Sequence, residues 1–327
     1  MPSNGFEQLN EIMRAYRGTN VLFTAYESGV LDKISSHSIE FDDLVRDLNL
    51  SEKGLGRLLS VLCAMGIIIR KDKSYTISAG YGKFLDPESA SYIGGLIKHE
   101  IHLQKRWMQL SESVKSGLPV KKLDEPEKPE DTIRFINAMA NIGQRTAPIM
   151  LDKIHFNGNE HLLDLGGGPG KYMEKFCERY PDIQVTLFDQ PETVSAAQDS
   201  LSKHKYFRNM HFIRGDFFED GLGKDYDVIF SSNVIHIFGP KEIQSIFNKC
   251  YQALKPSGRL LIKDFFLNEE YTGPEFAALF SIHMLLSTEN GKCYSEKEMI
   301  TLMEKSQFSY GQTVSLTESC MIIEGIK

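Results

Sequence analysis

The chain has 327 residues, 41% hydrophobic and 25% charged, the proportions of an ordinary soluble globular protein. That length is generous for one core and predicts two domains. A formal charge of −7 argues against wholesale attraction to nucleic acid or to an anionic membrane surface.

No apolar run approaches the about 18 residues that a bilayer-spanning helix needs. The opening MPSNGFEQLN has neither the basic start nor the greasy core of a secretory signal. Cys63, Cys177, Cys250, Cys293 and Cys320 are scattered, with no C-x-x-C pair. Such usage fits a reducing cytoplasm, not a disulfide framework. No metal site is expected either: HEIH at His99 to His102 lacks the i, i+4 spacing of a zinc-binding helix, and its histidines read as ordinary helix residues.

Taken in chain order, residues 1–95 read as short helices and a small hairpin. Helical periodicity runs through LNEIMRAYRGTNVLFTAYESGVLDKI, with Leu9, Ile12 and Met13 on one face. Ser38 before FDDLVRDL and Ser51 before EKGLGRLLSVLCAMG are each placed to cap a helix. IIIRKDKSYTIS alternates around the polar turn Lys71-Asp72-Lys73, a hairpin signal. Helices followed by such a wing describe a winged helix. A DNA reader would present a basic face, yet Lys53 and Arg57 stand among Asp42, Asp43, Asp47 and Glu52. The module is therefore expected to pack against another chain, with the apolar run VLFTAY as its interface.

Residues 96–150 are expected to be a helical connector, interrupted by KKLDEPEKPED, a charged, proline-bearing surface loop. From 151 to 327 the pattern changes to strand, helix, strand. HLLDLGGG, IQVTLFD, MHFIRGD, YDVIFSS and GRLLIKD are apolar runs separated by helical lengths, which predicts a doubly wound, Rossmann-like α/β sheet. YGQTVSL and CMIIEGI add a C-terminal antiparallel hairpin at the sheet edge, making seven strands: five parallel plus that pair.

LLDLGGGPGKY is a strand entering a glycine-rich turn and then a helix. Gly166, Gly168 and Gly170 permit positive φ and close approach of a ligand. Asp189 ends the next strand, where an acid can accept from both hydroxyls of a ribose. Asp216 ends the third in RGDFF, with Phe217 beside it as a flat contact for an adenine. The spacing is not G-x-G-x-x-G, and no lysine-serine pair follows to hold a triphosphate. With Asp164, Asp189 and Asp216 repelling a pyrophosphate, a nucleoside of little negative charge fits best.

Taken together, D-L-G-G-G-P-G, F-D-Q-P, G-D-F-F, the segment FSSNVIHIFG and G-R-L-L-I-K-D resemble the class I S-adenosylmethionine-dependent methyltransferases. The branch is that of small-molecule O-methyltransferases with an N-terminal winged-helix dimerisation domain, over nearly the whole chain. The resemblance implies a homodimer, a small-molecule acceptor and S-adenosyl-L-methionine as cofactor, held by Asp164, Gly166, Gly168, Asp189, Asp216, Phe217 and, at a position that is lysine in plant members, Ser232. It places His236 on the catalytic base, followed by Ile237-Phe238 where Asp-Trp is usual, and Asp264 on the acid that partners it, usually a glutamate. Cys293 replaces the second acid and is expected to be pocket wall. Phe135, Met139, Met284 and Thr288 match acceptor-pocket positions. His283 reads as structural.

Methyl transfer from a sulfonium needs aligned reactants and the loss of one proton. A histidine near neutrality, oriented by an acid, suits that task. The alternatives are transfer to nitrogen, sulfur or carbon on the same fold, a ligand-sensing regulator, or an NAD-dependent oxidoreductase.

Overall fold

The computed structural model describes residues 5–120 and 129–327, and its contacts separate Met1–His102 from Leu103–Lys327. The N-terminal unit contains α1 (Gly5–Glu27), α2 (Val30–Ser36), β1 (Ile39–Glu40), α3 (Phe41–Leu48), α4 (Glu52–Ala64), β2 (Ile68–Lys71), β3 (Ser74–Ile77), α5 (Gly82–Leu85) and the start of α6 (Gly94–Trp107). The wing forms as expected: Lys71 pairs with Ser74 across a two-residue turn at whose first position Asp72 takes φ 56°. Ser51 caps α4, accepting from the Gly54 amide at 3.1 Å.

One expectation for this unit fails. Ser38 caps nothing: Ile39 and Glu40 are drawn into pairing with Tyr75 and Ser74, so α3 starts beyond them with Glu40 as N-cap and no side-chain capping bond. The run VLFTAY is divided, with Val21, Leu22 and Tyr26 only partly buried and Thr24 exposed. Phe23 and Ala25 are buried in the unit's core with Leu44, Leu55, Leu59 and Leu62, because the C-terminal half of α1 packs on α2 and α4. The apolar surface left open lies earlier on α1, where Phe6, Leu9, Ile12, Met13 and Tyr16 are all more than half exposed.

The C-terminal unit holds the end of α6, α7 (Leu110–Ser116) and α8 (Pro129–Leu151). The loop expected at KKLDEPEKPED lies outside the described residues as far as Lys128, and α8 begins at Pro129. There follow β4 (His161–Leu165), α9 (Lys171–Arg179), β5 (Gln184–Asp189), α10 (Pro191–Leu201), β6 (Met210–Arg214), β7 (Tyr226–Ser232), α11 (Pro240–Ala253), β8 (Leu254–Leu267), α12 (Glu275–Ser287), β9 (Tyr294–Ser295), α13 (Glu296–Lys305), β10 (Ser309–Ser315) and β11 (Cys320–Ile326). The sheet order is β10-β11-β8-β7-β4-β5-β6. The strands from β4 to β8 are parallel, and β11 runs antiparallel to β8 and β10. The two-residue β9 joins the end of β8 as an eighth strand that the apolar pattern does not announce.

Helices cover both faces, which is why the strands read as continuous apolar runs. Neighbours in sequence serve opposite cores: Leu162 packs with Phe176, Val185 and Phe230, and Leu163 with Phe188, Ile229 and Phe247. The chain reverses direction across the sheet at β4, so the C-terminal ends of β4 and β7 flank the crevice where open α/β sheets take ligands. No helix among the described residues is long and apolar enough to cross a membrane.

Candidate active site

The glycine loop leaves β4 with Gly166, Gly168 and Gly170 at φ 74°, 54° and 75°. Their surroundings differ. A Cβ at Gly166 would meet Val234 at 2.6 Å and Phe217 at 3.3 Å, and one at Gly170 would meet Leu201 at 2.7 Å. Those two glycines therefore answer to the protein's own packing. A Cβ at Gly168 would meet nothing within 4 Å, so that side of its backbone faces open space. Its amide donates to Asp189 Oδ2 at 2.8 Å, and the Gln190 amide donates to Oδ1 at 2.7 Å. Each oxygen keeps a lone pair for a ligand.

Asp164 is buried beneath the loop, and among the described residues its Oδ2 has no hydrogen-bond partner. Burial, reinforced by the charge of Asp189, pushes its carboxyl up to about 7. Burial also raises Asp189, against the pull of the Gly168 and Gln190 amides. Asp216 lies two residues past β6 and not at its end. Its carboxylate accepts from the Phe218 amide at 2.8 Å and from Gln190 Nε2 at 3.2 Å. The Phe218 amide leads the interactions that lower it. Phe217 stacks on Phe188 with centroids 5.8 Å apart, leaving its ring over Gly166. Gly168, Asp164, Asp189, Phe217 and Asp216 are thus brought to one edge of three consecutive parallel strands. Ser232 ends β7 on the same edge.

His236 follows β7 in a single 3-10 turn, Ile235–Ile237. Its imidazole is 6% exposed, and its Nδ1 donates to Asp264 Oδ1 at 2.6 Å. The His236 amide adds a bond to Asp264 Oδ2 at 3.2 Å, and the Phe265 amide one to Oδ1 at 2.8 Å. A carboxylate only accepts, so the neutral ring carries its proton on Nδ1 and leaves Nε2 as the free acceptor. Asp264 does not end its strand: β8 runs on to Leu267. Pairing with β7 stops at Ser232 and Lys263, however, and Asp264 is the first β8 residue beyond it. That break in the ladder, not a strand end, is what turns the carboxylate towards His236.

The histidine is packed by aromatic rings, with Phe280 edge-on at 4.8 Å and Phe265 stacked at 6.5 Å. Cys293 is fully buried, and burial, with Asp264 adding, pushes its thiol up to about 12. The thiol is therefore neutral and no second acid. Met284 is 4% exposed, and Thr288 spends its hydroxyl closing α12, on Met284 O at 2.8 Å and on the Gly291 amide at 3.0 Å. On α8, Met139 is half-buried and Phe135 is half exposed.

Two positioning groups escaped sequence reasoning. Lys263 is buried on β8 and donates to Asn233 Oδ1 at 2.8 Å, while the Asn233 amide, at φ 58°, donates to Lys263 O at 2.9 Å. This pair fixes the bend that launches the His236 turn, and a lysine inside an apolar central strand was the signal for it. The other is Gly291: a Cβ there would lie 2.7 Å from the Ile237 carbonyl oxygen and press on that of His236. No pattern in NGKC marks that glycine.

Residues 117–309 match the model of the O-methyltransferase domain, and residues 10–83 that of the O-methyltransferase dimerisation domain. The chain is 23% identical over 305 residues to the 3-hydroxy-5-methyl-1-naphthoate 3-O-methyltransferase of Streptomyces sahachiroi, covering 90% of this chain and 87% of that one. It superposes on human N-acetylserotonin methyltransferase in complex with SAM with a TM-score of 0.86 at 21% identity, over 100% of this chain and 99% of the other. The structure of PigF with SAH, a methyltransferase of Serratia, gives a TM-score of 0.88 at 23% identity, over 98% and 99%. This chain belongs to the S-adenosylmethionine-dependent O-methyltransferase family, with that family's dimerisation domain preceding its catalytic domain.

Proposed function

We propose that this enzyme methylates a hydroxyl, phenolic by preference, on a small molecule, with His236 as general base and Asp264 as the group that orients it. The observation that carries this reading is the buried 2.6 Å bond from His236 Nδ1 to Asp264, which reserves Nε2 for the acceptor's proton. The relative named for the 3-hydroxyl of a naphthoate supports a phenolic acceptor. The orphaned Asp164 Oδ2, the half-filled Asp189 carboxylate and the open Gly168 fit the ribose and methionine parts of S-adenosylmethionine. Asp216, Phe217, Gly166 and Ser232 complete that wall. When bound, S-adenosylmethionine supplies an electrophilic methyl group on a sulfonium whose leaving group is a neutral thioether.

Nε2 takes the hydroxyl proton as the oxygen becomes nucleophilic, and the charge that forms on the ring is balanced by Asp264 without moving the proton off Nδ1. Phe265, Phe280 and the neutral Cys293 keep water from this pair, strengthening its electrostatics. Phe135, Met139, Met284 and Thr288 line the acceptor side. The exposed stripe of α1, in a domain of the dimerisation family, joins two copies into a homodimer, and the free cysteines suit a cytoplasmic setting.

The test is transfer from labelled S-adenosylmethionine to simple phenols, with the methylated atom located by mass spectrometry. His236→Ala should cost about 100- to 10,000-fold in kcat, while calorimetry shows cofactor affinity unchanged. Equal loss of both would remove His236 from the role of base.

A further inference from the structure

Helix α12 presents one stripe, Phe276, Phe280, His283 and Ser287, at the i, i+4, i+7, i+11 spacing of a single helix face. The stripe starts at the catalytic pair. Phe280 lies edge-on to His236 at 4.8 Å, and His283 follows with its ring 5.6 Å from that of Phe280. The far side of His283 stacks on Trp107, 6.4 Å between centroids and 7° from parallel. So His283 is fixed in a wall that begins at the base.

Among the described residues His283 Nδ1 is buried without a hydrogen-bond partner, and so is Ser287 Oγ one turn further on. Buried polar atoms are nearly always paired, and each exception asks for an explanation. A histidine that only stacked would leave its nitrogen unpaired at a cost and gain nothing that phenylalanine would not give. Burial, aided by Arg106 and His236, pushes the imidazole down to about 4. It is therefore a neutral ring with one N–H to donate. The cation of Arg106, just before Trp107, biases the same region towards a partially or fully negative oxygen.

We infer that His283 and Ser287 bind an oxygen of a second group on the acceptor, a carboxylate or carbonyl, so that α12 selects a hydroxyarene bearing such a group over the same ring without it. The aromatic body lies against Phe280, with its hydroxyl at His236 and its second oxygen at His283. This assignment rests on the methyl-transfer reading and adds to it the chemical class of the acceptor.

Matched acceptor pairs test it: para-hydroxybenzoate against phenol, and a hydroxynaphthoate against naphthol, assayed by labelled methyl transfer. Wild-type enzyme should favour the carboxylated member of each pair in kcat/KM by about 100-fold. His283→Phe keeps the stack on Trp107 but removes the nitrogens, and should bring the ratio within each pair to near one, mostly through KM. His283→Gln should restore part of the preference. Ser287→Ala, a smaller change with little risk to folding, should lower the ratio in the same direction. A preference absent from the wild-type enzyme, or unchanged in both His283→Phe and Ser287→Ala, would overturn the inference while leaving O-methylation standing. Failure of the wild-type enzyme to methylate any hydroxyl in either pair, with S-adenosylmethionine bound, would overturn the methyl-transfer reading and this inference with it.

Discussion

The two sides of the active site are built by opposite means. On the glycine-loop side, backbone does the work: three positive-φ glycines, two amides on Asp189 and an Asp164 carboxylate with one unpartnered oxygen among the described residues create a cradle from turn geometry. On the histidine side, side chains do the work: one hydrogen-bonded pair is set into Phe265, Phe280 and Cys293, and its backbone is braced by Lys263 and Gly291. A site made of backbone tolerates few substitutions and recognises one ligand. A wall made of side chains can be re-cut for different acceptors while the proton chemistry stays in place. Lost function should therefore separate cleanly into cofactor binding on one side and turnover on the other.

The largest effect expected from breaking that separation comes at Asp264. Asp264→Asn keeps the shape but can donate where only acceptance is useful, favouring the wrong tautomer of His236. We expect kcat to fall about a thousandfold or more with cofactor affinity by calorimetry unaltered; a matching loss of affinity would show that the two sides are not independent. Next, Asp189→Ala removes the carboxylate expected to hold the ribose and should weaken S-adenosylmethionine binding by about 10- to 100-fold. The same variant at saturating cofactor should turn over at close to the wild-type rate.

A subtler effect concerns pH. The folded state holds the Asp164 proton up to about 7, whereas the unfolded chain releases it in the ordinary carboxylate range near pH 4. The folded form therefore binds more protons between those limits, and stability falls as pH rises through that window. Carboxylates held below their usual range, such as Asp227 beside Lys255, lose their contribution on acidification instead, in a separate window. The melting temperature of the cofactor-free protein should decline between about pH 4 and 7, and Asp164→Asn should flatten the decline. The smallest effect is a control outside the site. Ser51→Ala removes the α4 cap and should cost about 1 kcal/mol in chemical denaturation while leaving turnover untouched.

Much of this molecule is legible along the chain because it depends on local rules. Strand runs, the D-L-G-G-G-P-G turn, the acid at the end of β5 and the hairpin at Asp72 follow from apolar period and turn chemistry, which act over a few residues. The errors share one cause. Ser38 lost its cap to a strand pairing with residues far along the chain, and Phe23 and Ala25 of VLFTAY went to a core that α2 and α4 complete. The resemblance to O-methyltransferases placed His236 and Asp264 together, but not the reason they meet, which is where the β7–β8 ladder stops.

The sequence by itself determined the run of parallel strands and helices, the C-terminal hairpin, the glycine loop and the motifs of the methyltransferase family, because each is written in spacing or in side-chain chemistry. Only the tertiary structure decided which glycine stays open, which carboxylate holds its proton to about 7, and that Cys293 is inert. It alone showed His283 stacked on Trp107 with a buried Nδ1 that, among the described residues, has no hydrogen-bond partner. Openness, burial and unmet hydrogen bonds depend on groups brought together from distant parts of the chain, and no local pattern records them.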